Sequence, residues 1–127
     1  MLNPVRDIEP LWDWVATGLA DVKAKCGATW DAEEIRNALV LGKAQLFTWG
    51  HDDGFCVLQV RHDRTPVLFI WALWGPGQYE ECHEAIFKDL DTIAKGIGAA
   101  VIEIDGRAGW KAKGFRVVRR IMQRQVW

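Results

Sequence analysis

Hydrophobic and polar positions change period several times along the chain, and each change marks an element. The most pronounced pattern runs from Pro66 to Gly98. Eight almost unbroken apolar residues (Val67 to Trp74) give way to Gly75-Pro76-Gly77 and then to an amphipathic stretch. The apolar run is short and bounded by Pro and Gly, which predicts a strand buried on both faces. The stretch from Gln78 to about Lys95 predicts a helix with a core stripe of Cys82, Ile86, Leu90 and Ile93, Phe87 lying beside it. Gly96-Ile97-Gly98 stops that helix. Ala99 to Ile104 reads as a short strand, which a right-handed crossover would place parallel to the first.

Ahead of this unit, Ile8, Leu11, Trp12, Val15, Leu19 and Val22 fall at helical spacings, predicting a helix from Ile8 to about Lys25. Pro10 lies in its first turn, where the missing N–H costs nothing, and Cys26-Gly27 ends it. Thr29 or Asp31 caps a second helix, with Ile35, Ala38 and Leu39 as its apolar face and Gly42 as its stop. Strands follow over Ala44–Trp49, Phe55–Arg61 and Pro66–Trp74. His51-Asp52-Asp53-Gly54 predicts a hairpin with Asp-Gly in a primed turn, and His62–Thr65 a second turn. The expected sheet is an antiparallel meander whose most apolar strand comes last and lies most centrally. Beyond Asp105, a glycine-rich loop, a short helical segment ending at Gly114 and a half-exposed strand from Phe115 to Trp127 complete the pattern. The expectation is one α+β domain over residues 1–127, with a mixed, mostly antiparallel sheet.

Composition narrows the chemistry. Of 127 residues, half are apolar and a quarter charged, as in a folded globular protein. No apolar run reaches the roughly 20 residues of a membrane span, and the start MLNPVRDIEP does not read as a signal peptide. Cys26, Cys56 and Cys82 are odd in number and widely spaced, which suits a reduced, cytoplasmic protein. The chain has no serine, excluding Ser-nucleophile mechanisms, and one tyrosine, Tyr79. Its eight tryptophans mostly fall where core side chains are expected. Charge is asymmetric. Up to Asp105 there are nine basic against seventeen acidic residues, net −8, whereas from Gly106 onward there are seven basic residues and no acid. That basic segment reads either as a polyanion-binding tail or as a strand lying against acidic neighbours. His51, His62 and His83 have no zinc spacing, so no metal site is expected.

A strand, a glycine-containing loop and a helix N-terminus together make a common anion site. Here the loop region is Trp74-Gly75-Pro76-Gly77-Gln78-Tyr79-Glu80-Glu81. Its glycines permit close backbone approach, but Pro76 removes one N–H and no basic residue is present. Glu80 and Glu81 fall in the helix's first turn, where they satisfy the dipole themselves. Repulsion between such a charge and an anion ~5 Å away is about 3 kcal/mol at an effective dielectric of 20.

The order helix-helix-strand-strand-strand-helix-strand-short helix-strand resembles that of the GNAT (Gcn5-related N-acetyltransferase) superfamily. Two segments carry the resemblance. One is Leu41-Gly42-Lys43-Ala44-Gln45-Leu46-Phe47; the other is Ile102-Glu103-Ile104-Asp105-Gly106-Arg107-Ala108-Gly109-Trp110, followed by Gly114-Phe115. Together they look like the small GNAT-like proteins of tailed phages and prophages, over most of the chain from about Ile8. The resemblance implies a GNAT-like fold with a parallel strand pair splayed at a ligand cleft. It also implies an N-acyltransferase using acetyl-CoA, its acceptor unidentified, with Leu73, Trp74, Gly75, Gly77 and Gln78 as the cofactor-binding residues. Relatives deprotonate the amine with a strand carboxylate, for which Glu103 is the candidate here; a solvated or salt-bridged strand residue is the alternative. They often reprotonate the thiolate with a tyrosine from the last helix, and Trp110–Lys113 contains none. The other reading is a non-catalytic phage or prophage accessory protein acting through a protein partner, in the cytoplasm or the phage particle. A homodimer, and more remotely nucleic-acid binding through the basic segment, complete the expected partners; no membrane is among them.

Overall fold

The computed structural model describes residues 2–26, 29–50, 53–62, 64–75 and 80–104. Its sheet grows from the apolar strand singled out above. Strand β4 (Pro66–Trp74) has the predicted bounds and lies between β3 (Gly54–His62) and β5 (Val101–Ile104). The described strands stand in the order β1-β2-β3-β4-β5, with β1 at Asn3–Val5 and β2 at Gln45–Trp49. Neighbouring pairs are antiparallel except β4 and β5, which are parallel as the crossover rule requires. Among the described strands the middle place falls to β3, not to the more apolar β4. The cause is the extra strand β1, which extends the sheet on the side away from β5. It pairs Asn3 with Thr48 and Val5 with Leu46. Three residues that include a proline carry too little periodicity to announce a strand; the pairing partner creates it.

Among the described residues, three α-helices cover the two faces. A 3-10 turn at Glu9–Leu11, carrying Pro10 at its start, leads into α1 (Trp12–Cys26). Helix α2 (Ala32–Val40) is capped by Asp31 rather than Thr29: the Asp31 carboxylate accepts the Glu34 backbone N–H at 2.9 Å. Val15, Leu19, Ile35 and Ala38 from these helices bury against Leu46, Phe55, Val57 and Ala72 on one face of the sheet. Helix α3 (Glu80–Gly96) covers the other face, with Ile86, Leu90 and Ala94 against Cys56, Leu58, Leu68 and Ile70. Its buried stripe thus continues to Ala94, and Ile93 is left half-buried. Gly98, at φ +75°, supplies the left-handed residue that closes α3, its N–H donating to the Lys95 carbonyl at 3.1 Å.

The first hairpin departs from expectation. Gly54 is already in strand β3, paired with Trp49, and the left-handed glycine is Gly50 at φ +62°. The predicted Asp53-Gly54 primed turn is therefore ruled out, because Gly54 is a ladder residue. Register decides this: aligning Phe55 with Thr48 buries Phe55 and forces Gly54 into the ladder. Trp110, Trp127, the basic C-terminal segment and the Gly-Arg-x-Gly-Trp turn lie outside the described residues. No helix among the described residues is long and apolar enough to cross a membrane.

Candidate functional site at the C-terminal end of β4

Strand β4 changes character halfway along. From Val67 to Ile70 it pairs with β3 on one side and, in register with Val101 to Ile104, with β5 on the other. Ile70 pairs with Ile104, the last described residue of β5. The next residue, Trp71, is skipped in the antiparallel ladder, because Leu58 pairs with Ile70 and Val57 with Ala72. This is a β-bulge, which bends its strand and increases the local twist. Beyond it β4 runs on to Trp74 held by β3 alone among the described residues. The expected splaying of the two parallel strands falls beyond Ile104 and lies outside the described residues.

The far half of β4 is fastened from the α1 side. Trp14, Phe55 and Trp74 form an aromatic cluster with ring centroids 5.5–5.8 Å apart. The Trp74 indole Nε1–H donates to the Asp21 carboxylate at 2.9 Å. Helix α1 approaches so closely here that a Cβ on Gly18 would lie 2.5 Å from Phe55 Cε2 and 2.8 Å from the Trp74 ring. On the α3 side, Trp49 lies over Gly54 and Gly75. A Cβ on Gly75 would come 3.0 Å from Trp49 Cζ2 and 3.1 Å from the Asp53 carbonyl oxygen. Trp49 is 5% exposed, and its Nε1–H is the one buried side-chain polar atom without a hydrogen-bond partner among the described residues.

The sequence-derived site residues distribute along this geometry. Leu73 packs toward α3 and Trp74 toward α1, both half-buried, and Gly75 closes the strand. Gly77 and Gln78 lie outside the described residues. Glu103 sits on β5 level with Phe69. Its neighbours Ile102 and Ile104 join the α3-side core, so by strand alternation Glu103 lies on the opposite face, half-buried. Phe69 shares that face and is covered by the Arg61 guanidinium, 3.6 Å from the ring centroid. Glu103 is the only ionisable side chain on β4 or β5. Level with Phe69, it is six residues short of Gly75, about 20 Å along a strand rising ~3.3 Å per residue. A small anion at the loop would not reach it; an extended ligand lying along the cleft would.

Three features of this site went unread in the sequence: the Trp71 bulge, the Trp49 lid over two glycines, and Asp53 beside Gly75. Only Gly54 and Gly75, small residues at strand ends, hinted at a close approach. Cys56 is buried and unbridged, and burial pushes its thiol pKa up, which makes it an inert core residue. Among the described residues no group of three or more His, Cys, Asp or Glu is placed to hold a metal ion.

Comparison with known protein families and with curated proteins finds no match. Solved structures do match. A probable acetyltransferase superposes with a TM-score of 0.70 at 10% identity, over 99% of this chain and 96% of its own. A candidate acetyltransferase of Arthrobacter sp. FB24 gives 0.64 at 21%, over 99% and 91%. A Trypanosoma brucei acetyltransferase gives 0.59 at 14%, over 99% of each chain. The chain has the GNAT-like mixed α/β fold of these neighbours. At such identities the likeness establishes fold and leaves activity to the site.

For acetyl-CoA, the described part of the site is β4 up to Gly75 with its Trp71 bulge; the loop over 76–79 lies outside the described residues, Glu80 and Glu81 are the first two residues of α3, and no Lys or Arg lies between Arg64 and Lys88 in the sequence.

Proposed function

We propose that this protein is an N-acyltransferase that takes a thioester donor along the β4–β5 cleft and an amine acceptor from the Glu103 face. The observation that carries this reading is the Trp71 bulge in β4, immediately beyond the residues that pair in parallel with β5. Glu103, the lone carboxylate on the two strands, is the candidate general base: it receives the proton that the acceptor nitrogen sheds as its bond to the acyl carbon forms. The resemblance to acetyltransferase structures supports the reading. Thiol release with a panel of amines and acetyl-CoA tests it. The expected result is turnover that falls about 100-fold or more in Glu103→Gln, the usual scale for a lost acid–base group, with the fold retained.

The acid-opened start of α3 favours a second reading, a protein that keeps the fold, has no donor and works through a protein partner. It requires that no thioester raise the melting temperature. A ligand at 100 times its Kd stabilises a folded protein by about 2.7 kcal/mol, readily seen as a shift of several degrees.

A further inference from the structure

The face of the sheet that carries Glu103 also holds a fixed cation. Arg61, exposed on β3, lays its guanidinium over Phe69 at 3.6 Å from the ring centroid, and its Nε–H donates to Gln59 Oε1 at 3.0 Å. Gln59 is itself oriented, because its Nε2 donates to the Lys43 carbonyl oxygen at 3.3 Å. These two partners require opposite ends of the amide, so the glutamine is held in one orientation and holds the guanidinium with it. An arginine that only shielded a phenylalanine would need no such tether. A fixed, solvent-facing guanidinium suits the bidentate capture of a carboxylate.

We propose that Arg61 selects the acceptor, and that the acceptor is a small amine carrying its own carboxylate, a free amino acid. The inference rests on the acyltransferase reading above and names its substrate class. Phe69 lies level with Gln59 on β3 and with Glu103 on β5. The guanidinium over its ring therefore stands about one strand spacing, ~4.8 Å, from the strand of the candidate base. An amino acid, with nitrogen and carboxylate on one carbon, bridges two groups so placed, its nitrogen toward Glu103 and its carboxylate toward Arg61. Val101, next along the same face from Glu103, is 42% exposed, so this end of the face is open to solvent. On transfer the nitrogen bonds to the acyl carbon and the thioester C–S bond breaks, its electron pair leaving on sulfur. The proton shed by nitrogen passes through Glu103 to the thiolate or to water.

Initial rates of the intact chain with acetyl-CoA and matched acceptors, free amino acids against their carboxamides, test the proposal. The expected kcat/KM favours the acids by about 10- to 100-fold, the scale of one charge-assisted pair. In Arg61→Gln that preference collapses to about threefold or less, and the loss appears in KM. Gln59→Leu, which unties the guanidinium, reduces the preference by about 3- to 10-fold, an effect that lost packing alone would not produce. Carboxamides used as well as the acids by the wild type, or a preference that survives in Arg61→Gln, would overturn the proposal and leave the acyltransferase reading standing. Turnover of other amines but of neither matched kind would do the same. Turnover of no amine would overturn both.

Discussion

The two halves of β4 are built from the same kind of residues and do different work. Val67 to Ile70 is sealed by β3 and β5 within the sheet, and its Leu68 and Ile70 side chains are buried beneath α3. Trp71 to Gly75 begins at the bulge and is pinned from the sides by indole rings: Trp74 and Trp14 toward α1, Trp49 toward α3. Burial therefore does not distinguish the two halves of this strand. The bulge does: one half is regular ladder, and the other is bent and held by aromatic rings.

Four substitutions and conditions break or sharpen that contrast. Leu68→Ala, in the sealed half, should cost about 2–5 kcal/mol, the usual range for a buried leucine, and leave thioester affinity within about threefold. Gly18→Val forces atoms into the Phe55–Trp74 contact and should cost about 1–3 kcal/mol. Unlike Leu68→Ala, it should also weaken donor binding, because Trp74 leads into the loop; chemical denaturation and calorimetry on both variants separate the two effects. Trp74→Phe removes the hydrogen bond to Asp21 and should cost about 1 kcal/mol, with a similar bias toward binding.

The smallest effect concerns pH. Burial raises the Cys56 thiol pKa above its ordinary value of 9.0, so the folded state keeps a proton that the unfolded chain gives up. The associated stability is complete below that value and is lost as the pH climbs above it. Melting temperature should fall more steeply above pH 9.0 in the wild type than in Cys56→Ala.

Much of the fold was legible because its periodicities are local. The bounds of β4, the Asp31 side chain as one of two offered caps and the parallel placement of β5 could all be read from neighbours in sequence. What escaped depends on distant partners. Strand β1 exists because Leu46 to Thr48 pair with it. The Trp71 bulge was hidden because β4 is apolar at every position from Val67 to Trp74, so no alternation marks the skipped residue. The Trp74–Asp21 bond joins residues 53 apart in sequence. Trp49 and Asp53 became visible only once register set them beside Gly75. The acidic start of α3 at Glu80 and Glu81 was plain in the sequence.

Backbone amide exchange along β4, measured by NMR with and without saturating acetyl-CoA, tests the central claim most directly. Ligand should slow exchange in Trp71–Gly75 and leave Leu68–Ile70, already paired on both sides, unchanged. Equal exchange in both states throughout β4, or protection confined to the sealed half, would contradict the division of this strand into fold and site.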